Sequence, residues 1–484
     1  MIELNKGEFI MNQSMQQLRK IGNIKPKTSK EIKYSQIGLG FEKLDRDVFD
    51  PKKAYDKVAE TGIKWARIQS GWQRTEREKG VYNFEWIDNI VDNLIAREIE
   101  PWVCLCYGNE LYNEEAKEVF GAVGCPPIFT EEQKLGWANY VKAFTAHFKG
   151  RINYFEVWNE PDGVLTWKHG TSGKELGKFT IATAKAVKEI YPEAKVIGGC
   201  VCMRKLDFLN DAFLTGMGDY IDYVSFHEYV RDETLVFEKV KTFKALINKF
   251  NPNIGIIQGE SGSQSRSGGH GALYTAGWTE VAQSKQLARH TLVDIMSGVF
   301  FTSYFSCMDM IEALDGKVGD KASYLDYGYF GILGAEFDED GHSSGEYYRK
   351  PSFYTLQNIA SIFANDYEQC ELPIFFHPMM SEWVMDNDIA RNQAITGCFK
   401  RKNGEAMVYW YPTNILTTSF EGTISIEVLT DYKKDMKVVD VMDGNIYEIP
   451  DELIKEVGNG VYKIEKLPIK DTPLIITFGD FLED

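Results

Sequence analysis

The chain has 484 residues, of which 44% are hydrophobic and 13% aromatic: too apolar for a disordered protein and too long for the usual single core. Its 54 basic and 71 acidic residues leave a formal net charge of −17, which repels phosphate backbones and anionic headgroups, so neither nucleic acid nor a membrane surface is expected as a partner. The eight cysteines form no zinc-type double pair and read as reduced, buried thiols.

Residues 1–33 hold no apolar run long enough for a signal peptide or a membrane span, so a cytoplasmic location is expected, with export open if a leader has been removed. They read as an N-terminal extension that pairs with a second domain by lending it a strand. From Tyr34 a strand-helix alternation begins. The expected strands are 37–41, 64–68, 101–106, 154–158, 195–199, 223–226, 256–259 and 300–305.

Helices are expected between them at 51–61, 84–97, after Thr130, and at 175–190, 206–214, 234–250, 283–297 and 351–363. Asp50 and Pro51 form the start signal of the first, and Trp137, Val141, Phe144 and Phe148 mark the buried face of the third. Eight alternations predict an α/β fold, a closed (β/α)8 TIM barrel over 34–364. From 365 to 484 the texture changes to short β-branched and aromatic runs separated by turns such as Asp443-Gly444-Asn445 and Gly458-Asn459-Gly460, which predicts a β-sandwich accessory domain.

The chemistry concentrates at two strand ends. Tyr154–Trp158 runs into Asn159-Glu160-Pro161, where the proline ends the ladder and leaves Glu160 at the tip. Gly255–Gly259 likewise delivers Glu260 into a glycine-flanked loop. The 100 residues between the glutamates (260 − 160) accommodate about three strand-helix units at roughly 30 residues each. In a barrel both therefore emerge on the same rim. A pair of carboxyl groups on rigid elements is what glycosidic bond cleavage needs.

These motifs resemble the clan A glycoside hydrolases, most of all family 39 and its neighbours, over roughly residues 34–363. The resemblance implies a retaining enzyme without a cofactor that acts on β-linked or equatorially linked glycosides, with Glu160 as acid/base and Glu260 as nucleophile. A β-xylosidase or β-galactosidase type, exo-acting on plant-type oligosaccharides or glycosides, is the finer expectation. The resemblance also implies roles for the neighbours. Arg67 lies near the nucleophile, Asn159 bonds the sugar 2-hydroxyl, and His227 and Tyr229 orient the nucleophile. From the residues alone Arg67 reads equally as a barrel salt bridge and His227 as a rim histidine.

Trp72, Tyr107, Asn109, Trp167 and Trp278 follow strand ends and are candidates for the sugar cleft; Lys168, His169, Arg266 and His270 would suit a carboxylated sugar. The chain departs from the clan at the end of strand eight. There a tryptophan is usual, but the run is Phe305-Ser306-Cys307-Met308-Asp309, so Trp278 or an aromatic from the 315–330 loop is the expected substitute. Two other readings stand beside this one. One is a non-catalytic carbohydrate-binding protein on a degenerate barrel. The other, a metal-dependent hydrolase, lacks a His-x-His or clustered carboxylate pattern. Oligomeric state is open, and a homo-oligomer is compatible with the sequence.

Overall fold

The computed structural model describes residues 15–117, 123–312, 326–377, 394–432 and 435–482. Parts of the segment 108–127, which follows the third strand, and of the 315–330 loop lie outside the described residues. One compact unit runs from Pro26 to Asn365; the other is formed by chain on both sides of it, up to Lys25 and from Asp366 on.

The first unit is a (β/α)8 barrel. Its strands are β1 (Ile37–Gly40), β2 (Trp65–Gln69), β3 (Glu100–Leu105), β4 (Tyr154–Val157), β5 (Lys195–Val201), β6 (Tyr223–His227), β7 (Gly255–Ser261) and β8 (Thr302–Tyr304). Each pairs in parallel with the next, and β8 closes on β1 with Thr302 opposite Ile37 and Tyr304 opposite Leu39. Gly38 lets β1 lie close to both neighbours, since a Cβ there would stand 2.9 Å from the Trp65 Cβ on β2 and 3.2 Å from the Thr302 carbonyl oxygen on β8.

The helices α1 (Tyr55–Glu60), α2 (Glu85–Ile95), α3 (Glu131–Phe148), α4 (Gly173–Ile190), α5 (Leu206–Leu214), α6 (Thr234–Ile247), α7 (Glu280–Met296) and α8 (Pro351–Ile362) alternate with these strands. The helix expected at 51–61 opens as a 3-10 turn, Pro51–Lys53, because Asp50 accepts the Lys52 N–H and tightens the start. Thr130 and Gln133 form a capping box at α3.

Strand alternation sends residues two apart into the lumen. The lower lumen is an aromatic floor of Trp65, Trp102, Ile197, Ile257 and Phe301, with Phe301 stacked 4.4 Å from Trp65 and edge-on 5.0 Å from Trp102. Two residues further along β2 and β4 the same faces carry Arg67 and Glu156.

The second unit is a β-sandwich. A seven-stranded antiparallel sheet runs Arg19–Asn23, Asn445–Glu448, Met436–Asp440, Leu474–Gly479, Gly404–Trp410, Ile395–Arg401 and Glu368–Cys370. A four-stranded sheet runs Ile374–His377, Glu421–Leu429, Val461–Lys470 and Ile454–Gly458. Inward residues such as Tyr409, Ile426, Val438, Ile464 and Ile476 form their common core. Residues ahead of the barrel enter this unit, with Arg19 opposite Glu448 and Asn23 opposite Asn445.

Candidate active site

Above the floor the lumen becomes polar, and Arg67 is its centre. The guanidinium is fully buried and lies 5.4 Å over the Trp102 ring. Its Nε donates to Glu156 at 2.8 Å, Nη1 to Glu42 at 3.1 Å and to Glu260, and Nη2 to Asn159 at 2.9 Å. One cation therefore ties together the ends of β1, β2, β4 and β7.

Glu260 is set by a bulge. The β6–β7 register pairs Gln258 with Phe226 but Glu260 with His227, so Gly259 is the extra residue. Only glycine fits, because a Cβ would stand 2.4 Å from Ser225 Oγ and 3.1 Å from His227 Nε2. The Tyr229 hydroxyl donates to Glu260 Oε2 at 2.7 Å, and His227 Nδ1 is 3.5 Å from the same oxygen. Burial works to raise the Glu260 carboxyl, but the charges of His227 and Arg67, with the Tyr229 hydrogen bond, hold it below its ordinary value. Burial and the two glutamates push Tyr229 well up, so it remains a donor.

Glu160 is carried by a strained turn. Trp158 and Glu160 adopt left-handed backbone at φ 67° and 50°, a conformation that L side chains enter at a cost of about 1–3 kcal/mol. The surroundings enforce it. Trp158 donates through its backbone N–H to Leu105 at 3.1 Å and through its indole to Thr166 at 2.8 Å, while the Glu160 N–H donates to the Cys200 carbonyl at 3.0 Å. The Glu160 side chain is 24% exposed against 10% for Glu260, so Glu160 stands at the mouth and Glu260 deeper.

The two carboxyl groups converge on His227. Its Nδ1 lies 2.8 Å from Glu160 Oε1, and one oxygen of each glutamate lies within 4.8 Å of the other and of the ring. Behind the ring, Cys200 Sγ is 3.4 Å from Nε2, and burial pushes that thiol well up, so it stays protonated. Glu160, His227 and Glu260, and likewise Glu156, Cys200 and His227, are the described groups of residues close enough to hold a metal. In both, a carboxylate already receives the Arg67 cation.

The other sequence candidates fall into two classes. Tyr229 bonds Glu260 directly, and Asn159 joins the cluster through Arg67. Trp72 is fully buried between Tyr112 and Tyr140, at 5.0 and 5.6 Å, which leaves no face for a sugar. Asn109 is buried and ties its loop to the Glu76 carbonyl at 2.9 Å. Trp278 is buried with its indole on the Leu273 carbonyl at 2.8 Å, and Trp167 is likewise enclosed. Tyr107 accepts from Gln69 at 3.1 Å beneath Arg46, one shell out from Arg67.

At the end of β8 the aromatic wall is Phe305 itself, edge-on to Phe330 at 5.3 Å and to Tyr229 at 6.5 Å. Of the loop charges, His169 pairs with Glu115, His270 lies 3.4 Å from Asp326, and Arg266 covers the Tyr329 ring. Sequence reasoning missed Glu42 and Glu156. Glu156 was detectable as a charge inside the buried run Tyr-Phe-Glu-Val. Glu42 had no such signal, for it lies beyond its strand in an ordinary polar stretch.

Comparison with known proteins bears on the same segment. The profile of Glycosyl hydrolases family 39 matches residues 49–250, which include Arg67, Glu160 and His227. Over this segment the barrel is similar to glycoside hydrolase family 39. A β-xylosidase of Geobacillus stearothermophilus is 31% identical over 163 residues, which is 31% of this chain and 31% of the relative's own length.

Among solved structures, a family 39 glycoside hydrolase from the gut symbiont Bacteroides cellulosilyticus WH2 superposes with a TM-score of 0.61 at 17% identity, covering 92% of this chain and 80% of that one. A monomeric β-xylosidase from Caulobacter crescentus CB15 gives 0.61 at 16% identity, covering 95% and 98%. At these identities the structural likeness concerns the fold. No helix among the described residues is long and apolar enough to cross a membrane.

Proposed function

We propose that the barrel hydrolyses β-linked glycosides with retention of configuration, with Glu260 as nucleophile and Glu160 as acid/base. The observation that carries this reading is the approach of one Glu160 oxygen and one Glu260 oxygen to within 4.8 Å. Retaining enzymes hold their carboxyl groups about 5–5.5 Å apart, whereas inverting ones leave about 6.5–9.5 Å for a water.

In the first step a Glu260 oxygen attacks the anomeric carbon while the glycosidic C–O bond breaks and the proton of Glu160 passes to the departing oxygen. The environments fit these roles. Glu260 is kept anionic by Arg67, His227 and Tyr229, and Glu160 lies nearer solvent, where a leaving group departs. His227 Nδ1, 2.8 Å from Glu160 Oε1, fixes the orientation of the acid. In the second step Glu160 removes a proton from water, the oxygen attacks the anomeric carbon, and Glu260 is released. Asn159, fixed through Oδ1 on Arg67, makes no hydrogen bond through its amide nitrogen among the described residues and is placed to donate to the 2-hydroxyl.

A β-xyloside is the first substrate to test, because the curated relative is named a β-xylosidase. Exo action on plant-type oligosaccharides is the corresponding mode. The test is release of aryl groups from α- and β-linked monosaccharides by the native protein and by Glu260→Ala with azide. Turnover of one β-glycoside, lost in the variant and restored as an azide of inverted configuration, is expected. Undiminished turnover by Glu260→Ala would remove the nucleophile assignment.

A further inference from the structure

The pocket contains a carboxyl group that a two-carboxylate mechanism does not use, and the inference drawn from it rests on the glycosidase reading above. Glu42 follows β1, is 1% exposed, and brings Oε1 to 3.1 Å from Arg67 Nη1, the nitrogen that also donates to Glu260. Two carboxyl groups thus converge on one Arg67 nitrogen, which sets Glu42 beside Glu260. Arg67 thus faces three buried carboxyl groups, Glu42, Glu156 and Glu260, with one positive charge.

Three anions would leave the cluster short of cations in a place where desolvated charge is costly. Glu156 is the best paired, on Nε at 2.8 Å and Nη2 at 2.7 Å, and Glu260 must be an anion to attack. Glu42, with a single Arg67 contact, is where a proton relieves the repulsion. A proton between Glu42 and Glu260 replaces two like charges by a short charge-assisted hydrogen bond.

We propose that Glu42 is a positioning residue that keeps its proton at neutral pH and shares it in a hydrogen bond to Glu260, holding the nucleophile against Arg67. The groups that face Glu42 are Arg67 from β2, Glu156 from β4, Tyr229 beyond β6, Glu260 from β7 and Cys307 beyond β8. Burial, then the Glu260 charge, push the Glu42 carboxyl well above the carboxylate range, and Arg67 offsets only part of this. When Glu260 becomes a glycosyl ester its charge disappears and the donor is left facing a weaker acceptor. As the carboxylate departs in the second step the hydrogen bond strengthens again. Glu42 therefore favours release of the sugar, and no bond to Glu42 is made or broken.

Two measurements test this. The first is NMR of the protein labelled at glutamate Cδ, with the Glu42 resonance assigned by its loss in Glu42→Gln. It is expected at the position of a protonated acid at neutral pH, and a carboxylate shift there would overturn the proposal whatever the substrate. The second is the pH profile of kcat/KM. Glu42→Gln keeps a neutral donor, so its acid limb stays in place and the rate falls by no more than about threefold.

Glu42→Ala removes the donor, so the acid limb rises by about one unit and kcat/KM falls about 10- to 100-fold. A fall of the acid limb in Glu42→Gln would mean that a negative charge had been removed, and the proposal would be wrong. Should the native protein release no aryl group from any sugar, the glycosidase reading fails, and the NMR titration still decides the proton on Glu42.

Discussion

The lower and upper halves of the barrel lumen are built from the same strands and obey different rules. The floor, with Trp65, Trp102, Ile197, Ile257 and Phe301, fills space with apolar side chains whose burial favours folding. One pleat higher, Arg67, Glu42, Glu156, Glu260 and His227 are buried as well, although burial of charge opposes folding. Their geometry is held by devices that the floor lacks: the Gly259 bulge, the left-handed turn at Trp158 and Glu160, and one guanidinium shared among four strand ends. The floor supplies a rigid support, and the layer above gathers three carboxyl groups around one buried guanidinium.

The largest expected effect comes from deleting the group that the upper layer serves. Glu260→Ala should lower kcat by at least about 10⁴-fold, as loss of a nucleophile does elsewhere, while thermal unfolding moves little or upward because a buried anion is gone. Next is Arg67→Met, which leaves Glu42, Glu156 and Glu260 without their cation. A loss of about 3–5 kcal/mol in stability is expected by denaturant titration, together with a collapse of activity. A merely local effect on activity, with stability intact, would show that the carboxyl groups do not depend on Arg67.

The halves also differ in how legible they were in the sequence. The eight strands were recoverable because buried parallel strands read as short apolar runs between helical periods, and Glu160 and Glu260 because each follows such a run beside a proline or glycine. Trp72 and Trp278 misled, since an aromatic after a strand end looks the same whether it faces a cleft or packs under a loop. Only the fold decides, and it buries both. Glu42 and the Gly259 bulge were hidden for another reason. Their meaning lies in contacts between strands, Glu42 with Arg67 of the next strand and Gly259 with Ser225 and His227 of the strand before, and no local period encodes them. In the sandwich, strands such as Ile395–Arg401 and Asn445–Glu448 carry little sequence signal: the first holds a glycine and ends in Lys400-Arg401, and the second is four half-buried residues long, so neither shows an apolar alternation.

Smaller changes sharpen the boundary between the layers. Gly259→Ala sets a methyl group against Ser225 Oγ and the His227 ring and should displace His227 from both glutamates. A loss of about 10- to 100-fold in kcat/KM is expected with little change in KM, since misplacement by an ångström acts on the reacting geometry. Steady-state kinetics on an aryl glycoside would show it, and an unchanged kcat would mean that His227 is dispensable.

Tyr229→Phe removes one of the influences that hold Glu260 below its ordinary value. A group whose folded pKa is depressed loses its activity and its stabilising contribution as pH falls through that folded value. Raising it moves both losses to higher pH. The acid limb of kcat/KM should therefore rise by about half to one unit, with roughly tenfold lower activity. An acid limb that stays in place would show that Arg67 and His227 alone set the ionisation of Glu260.

The smallest effect is expected from Trp102→Phe, and it bears most directly on the division of the lumen. The substitution keeps a ring beneath Arg67 and against Phe301 but removes an indole nitrogen that has no hydrogen-bond partner. The smaller ring costs packing, about 1–2 kcal/mol, and relief of the unsatisfied nitrogen offsets a comparable amount, so the melting temperature should move by only a few degrees. The pH profile should not move, because the floor touches Arg67 through a ring face that phenylalanine also presents. If the acid limb shifts with Trp102→Phe, the aromatic floor is tuning the charges above it. The lumen would then have to be treated as one electrostatic unit, with the floor as much a part of the site as Arg67.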